Sequence, residues 1–159
     1  MIALLSTSLA SAAPPPFLQG PPAGLGIGLQ VGTLSGLALA LRPGGDLYIQ
    51  GATNWSLTES RLNVEGDVLW TLTELVIPDT PQIRFPVYFG VGGRVHINQK
   101  NANWPDNTVG VRLPVGMSVV PNNTSVDTFI ELAPVLLFYP DIEVTMDFTL
   151  GVRLYPFSR

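Results

Sequence analysis

The chain has 159 residues, enough for one domain, with 46% apolar and only 13% charged side chains, about half the charged share of a soluble protein. A net charge of −4 argues against nucleic acid, whose phosphates demand clustered Lys and Arg. With no cysteine, disulfide and thiolate chemistry are excluded, and no window holds the ~18 consecutive apolar residues of a membrane-spanning helix.

Residues 1–12 are expected to be a signal-peptide remnant. Ile2 to Leu9 resemble an apolar core and Ala10-Ser11-Ala12 an A-x-A cleavage site, although no basic leader precedes them. Residues 13–22 form a Pro-rich, extended lead-in.

From residue 23 to 157 the apolar period is two, the period of strands, and eight strands are predicted. The first, Ala23–Val31, sets Leu25, Ile27 and Leu29 against Gly26, Gly28 and Gln30. The second, Gly36–Arg42, sets three leucines against Ala38, Ala40 and Arg42, and Pro43-Gly-Gly-Asp46 has turn composition. Strand three, Leu47–Leu57, carries Tyr48, Gln50 and Asn54 on its polar side. Strand four, Arg61–Thr73, opposes Leu62, Val64, Val68 and Trp70 to Arg61, Asn63, Glu65 and Asp67. After Glu74–Ile83, strand five (Arg84–Ile97) alternates Phe85, Val87, Phe89, Val91, Val95 and Ile97 with Tyr88, Gly90, Gly92, Arg94 and His96. A polar loop, Asn98–Thr108, leads to strand six, Val109–Val119, then a turn at 121–125 and strand seven, Val126–Phe138. The near-continuous Leu132-Ala-Pro-Val-Leu-Leu-Phe138 leaves strand seven's faces open. Strand eight is Ile142–Phe157.

Volume decides which face points inward. Apolar side chains from eight strands would crowd a lumen just wide enough for side chains. The opposite face carries Gly26, Gly28, Gly36, Gly90, Gly92, Gly110, Gly116 and Gly151, which would weaken strands on a soluble surface but leave room for long side chains inside. The fold class is therefore all-β: an eight-stranded up-and-down antiparallel transmembrane β-barrel, polar within and apolar without. Trp55, Trp70, Phe85, Phe138 and Tyr139 fall near strand ends, where aromatic girdles sit. Pro86, Pro114 and Pro134 lie inside three successive strands, and a closed barrel should place each at a bulge or a rim.

The polar face directs Arg61, Glu65, Asp67, Arg94, Arg112, Glu131, Glu143, Asp147 and Arg153 into the lumen. Of these, Glu65, Asp67, Arg94, Arg112, Glu131, Asp147 and Arg153 are expected to form a charge network that fills the barrel and rules out a wide pore. A symmetric loop after strand five would set Arg94 and Arg112 opposite each other. His96, the only histidine, stands in His96-Ile-Asn98 with no neighbouring hydroxyl, and a lone His builds no zinc site. The glycines of Gly24–Gly28 alternate along a strand with no helix behind them, so they cradle no phosphate. No catalytic residue, metal or cofactor is expected.

The segments Pro86-Val-Tyr-Phe-Gly-Val-Gly-Gly-Arg94, Gly110-Val-Arg-Leu-Pro-Val-Gly116, Phe129-Ile-Glu-Leu-Ala-Pro-Val135 and Gly151-Val-Arg-Leu-Tyr-Pro-Phe157 carry a likeness, with Gly24-Leu-Gly-Ile-Gly28 and Ser35-Gly-Leu37. Through them the chain resembles a family of small bacterial outer-membrane β-barrels, largely of unknown function. The last segment also looks like the C-terminal signal read by the barrel-assembly machinery, although Pro156 interrupts its spacing and Ser158-Arg159 follow Phe157. The resemblance implies an outer-membrane location in a Gram-negative bacterium, with lipid and that machinery as partners, a monomer, and a structural or surface-interaction role. The alternatives are a soluble lipocalin-like carrier with an apolar lumen, and an outer-membrane lipid-modifying enzyme using His96.

Overall fold

The computed structural model of the chain describes residues 22–33, 35–56, 61–76, 83–98, 107–122 and 124–157. The predicted signal remnant and nearly all of the Pro-rich lead-in and the 98–108 loop lie outside them. The alternating runs form nine strands: β1 Gly24–Gly32, β2 Gly36–Arg42, β3 Leu47–Ser56, β4 Arg61–Val76, β5 Ile83–Asn98, β6 Thr108–Arg112, β7 Val115–Pro121, β8 Val126–Tyr139 and β9 Glu143–Leu154. β6 and β7 are two halves of one wall strand, interrupted at Leu113 and Pro114, and both pair with β5 and β8. Every pairing is antiparallel, and β9 returns to β1, so the sheet closes as an eight-membered ring. The tight β2–β3 turn relies on Gly44 and Gly45, at φ of 114° and 81°, backbone that L side chains rarely adopt.

Followed around the ring from Gly28, the pairs run through Ala38, Ala52, Glu65, Arg94, Gly110 and Leu137 to Glu143, ten residues from Gly28's direct partner Arg153. At about 3.3 Å per residue and 4.8 Å between strands, that stagger tilts the strands by roughly 40°. The strand ends at Gly32, Gly36, Ser56, Arg61, Asn98, Thr108, Tyr139 and Glu143 share one end of the ring. Those at Gly24, Arg42, Leu47, Val76, Ile83, Pro121, Val126 and Leu154 share the other.

Alternation sorts the faces as volume demands. Along β2, Leu37, Leu39 and Leu41 are exposed while Gly36, Ala38, Ala40 and Arg42 are buried. The same division holds for the glycine-bearing face of β1, β5 and β9. β8 resolves in favour of Asp127, Phe129, Glu131, Ala133, Val135 and Leu137 inward, with Ile130, Leu132, Leu136 and Phe138 outward. Trp55, Phe138 and Tyr139 are exposed near one end, whereas Trp70 stacks on Phe89 with centroids 5.7 Å apart.

The three prolines differ from expectation. Pro114 and Pro134 sit in mid-strand and Pro86 is the fourth residue of β5, each beside a gap in pairing whose register is unchanged rather than at a register shift. Phe85 and Pro86 drop out of the β5–β7 run, and Pro134 faces the β6–β7 break. At Pro114 only one of two ladder bonds forms, Gly90 N to Pro114 O at 2.8 Å, because proline has no N–H to return. The irregularities in register lie nearby, between Thr71 and Thr73 of β4 and between Val109 and Gly110 of β6.

Candidate functional site

Large inward side chains and glycines alternate across neighbouring strands. A Cβ at Gly26, Gly116 or Gly151 would strike the rings of Tyr155, Tyr88 and Phe129, and one at Gly90 or Gly92 would strike Leu69 or Asp67. At Gly28 and Gly36 it would meet the backbone of the adjoining strand. Each glycine is thus a socket for the bulky residue beside it. Arg94 and Arg112 follow the same rule. The register pairs Arg94 with Gly110 and Arg112 with Gly92, two residues from the symmetric loop closure. The two guanidiniums therefore do not face each other as expected; each lies across from a glycine.

Arg112, 1% exposed, is the hub of the interior. Its Nη1 contacts Glu65 Oε2 and lies 3.5 Å from Asp67 Oδ2, while Nη2 donates to Glu131 Oε1 at 2.7 Å. From Glu65 the network reaches Gln30 and Asn54, whose amides donate to Oε1 at 2.9 and 3.1 Å. From Glu131 it continues through Tyr88 Oη and Gln50 Nε2, both donating to Oε2 at 3.1 Å. Arg153 Nη1 then donates to Gln50 Oε1 at 2.7 Å, and its Nη2 sits 3.0 Å from Asp127 Oδ2. The same Asp127 oxygen accepts from Arg42 at 3.2 Å and from Tyr155 at 3.4 Å. The guanidiniums of Arg42 and Arg153 each lie 4.0 Å from a ring centroid, of Tyr48 and Phe129 respectively. A cation over a ring face is attracted by its quadrupole.

This single network takes a side chain from β1, β2, β3, β4, β5, β6, β8 and β9. Arg94 and Asp147 form a separate pair, with Nη1 at 2.8 and 2.7 Å from the two carboxylate oxygens, and Arg84 meets Glu74 at 3.5 Å. All seven residues singled out from the sequence face the interior, five joined through the Arg112–Glu131–Arg153 network and two in the Arg94–Asp147 pair. Glu143 is exposed, because the first residues of β9 run past the last pair with β1. The side chain of Arg61 lies outside the described residues. Sequence reasoning missed Asp127, hidden by the uncertain faces of β8, and Tyr155, which lies inside the predicted eighth strand but just past the end of β9. The alternation of Val126-Asp-Thr-Phe-Ile-Glu131 could have revealed Asp127. His96 faces inward near one end, paired across the sheet with Asn63 and Thr108; the register brings this hydroxyl residue beside it from the start of the next strand.

Eight antiparallel strands, each bonded to the next and the last to the first, with buried ion pairs inside, define an up-and-down β-barrel. Among solved structures the chain is similar to the N-terminal β-barrel domain of Pseudomonas aeruginosa OprF, with a TM-score of 0.53, 10% identity, and coverage of 82% of this chain and 93% of that one. No protein-family model matches the chain, and no curated protein sequence matches it significantly.

Proposed function

We propose that this chain is a β-barrel of the outer membrane of a Gram-negative bacterium, with a filled polar lumen and a structural or surface-interacting role. The observation that carries the reading is the inversion of polarity. Leu25, Leu39, Ile49, Val91, Ile130 and Leu150 stand among the exposed residues, while Arg42, Arg112, Asp127, Glu131 and Arg153 are buried. Water favours the opposite arrangement, and lipid favours this one. A lipocalin-like carrier would need apolar side chains around its ligand, and here the interior is crossed by carboxylate–guanidinium pairs.

The charges meet one another inside the ring, and this supports a plug more than a path. Function then falls to the loops, with Asn98–Thr108 as the proposed contact surface. On this reading the protein is a non-catalytic monomer, its partners are membrane lipid and the barrel-assembly machinery, and no role in chemistry is assigned to His96. Extraction from membranes followed by gel migration with and without heating tests the location; recovery in the soluble fraction alone would overturn it. Reconstitution into liposomes tests the filling, since rapid swelling in a pentose would show an open lumen.

A further inference from the structure

We infer that β7 is a flap in the barrel wall, hinged at Leu113–Pro114, that opens locally while the remaining strands stay paired. Three observations converge on it. First, prolines remove ladder donors from its seam with β5 and from its hinge. The N positions of Pro86 and Pro114 fall in the β5–β7 seam, opposite Ser118 and Gly90, and that of Pro134 faces Leu113 at the hinge. The carbonyls of Ser118, Gly90 and Leu113 therefore lose the donor that any other residue would supply. At Gly90 and Leu113 one bond of each pair remains, Gly90 N to Pro114 O at 2.8 Å and Leu113 N to Pro134 O at 3.0 Å.

Second, among the described residues β7 is the one wall segment with no side chain in the hydrogen-bonded and ionic network of the interior. Its inward residues are Gly116, Ser118 and Val120. Ser118 is fully buried and its hydroxyl has no hydrogen-bond partner. Arg112 fastens β6 to β4 and β8 just before the break, so the clamp ends where the flap begins. Third, β2 supplies an internal contrast. It has the same length, seven residues, yet it pairs without interruption on both sides and ends in the buried Arg42–Asp127 contact. Local opening starts where backbone bonds and side-chain anchors are fewest. In this ring that place is β7, and its opening would uncover Tyr88, Phe129 and Val120 inside.

Amide hydrogen exchange on the folded barrel in detergent micelles tests the flap, with folding verified by heat-modifiable migration. Amides of Met117–Val119 are expected to exchange at least about tenfold faster than those of Leu37–Leu41 under identical conditions. The Pro86→Val and Pro114→Val variants restore N–H groups facing Ser118 and Gly90, and they should slow exchange in β7 while leaving β2 unchanged. Pro134→Val is a second, independent variant that restores the donor to Leu113. Equal protection of β7 and β2 in the parent protein would overturn the inference, whichever variants fold. So would unchanged β7 exchange in folded Pro86→Val and Pro114→Val variants.

Discussion

Replacing Arg112 by leucine removes one guanidinium and strands three carboxylates. Glu65 keeps donors from Gln30 and Asn54, and Glu131 keeps donors from Gln50 and Tyr88. Asp67 is 1% exposed, neither of its oxygens has a hydrogen bond, and among the described residues its paired cation is Arg112. Removing one partner of a buried ion pair costs about 3–5 kcal/mol, because the survivor is left uncompensated. With a urea slope of about 2 kcal/mol/M, the unfolding midpoint should fall by about 2 M. Urea titration in lipid vesicles, followed by tryptophan fluorescence and by heat-modifiable migration, measures it. Arg112→Lys should recover only part of the loss, since an ammonium is a point charge and cannot fork between Glu65 and Glu131. Adding Glu65→Gln, Asp67→Asn and Glu131→Gln to Arg112→Leu should return most of the midpoint, because whole-network neutralisation removes the buried charge itself. A midpoint for Arg112→Leu within about 0.3 M of the parent would refute the view that these carboxylates depend on Arg112.

Other expectations follow from the same geometry. Gly28→Ala should destabilise by about 1–3 kcal/mol, because its methyl meets the β9 backbone. Gly66→Ala, whose Cβ points into open space, should stabilise by about 0.5–1 kcal/mol; equal effects in denaturant titration would contradict the socket arrangement. Leu39→Arg should cost about 2–4 kcal/mol in bilayer-embedded protein if this face meets hydrocarbon, and a neutral result in vesicle unfolding would remove the support for a lipid-facing coat. Asp127→Asn should leave Arg42 and Arg153 facing each other without their shared counter-charge and cost about 3–5 kcal/mol, with Arg42→Gln recovering part of it in a double-mutant cycle.

The faces of the strands were legible because period-two alternation and inward glycines agree over most of the chain. The position of Arg94 and Arg112 on the inner wall followed from that parity, but their partners did not. Parity survives a two-residue shift, so a loop whose closure is not symmetric changes which residue stands opposite without changing which face it is on. β8 resisted reading because Phe129, Ala133, Val135 and Leu137 are apolar yet inward, filling space beside glycines of the next strands rather than adding charge. Asp127 was lost in that ambiguity, and with it the link between Arg42 and Arg153. The break at Pro114 needed the identity of the facing residues, Gly90 and Ala133, which no single stretch of sequence contains.

The glycine sockets also settle a question that the outer coat leaves open. Sliding any strand by two residues exchanges one leucine or valine for another on the outside, so the coat alone barely distinguishes neighbouring alignments. Inside, the same slide between β5 and β7 would set Tyr88 against Pro114 or Ser118 and leave a hole at Gly116. The empty positions therefore work as a key, rejecting misaligned hairpins that greasy surfaces would accept. Substitutions on the two sides of a socket should be tolerated in pairs, a large residue yielding on one strand as a small one grows on the next.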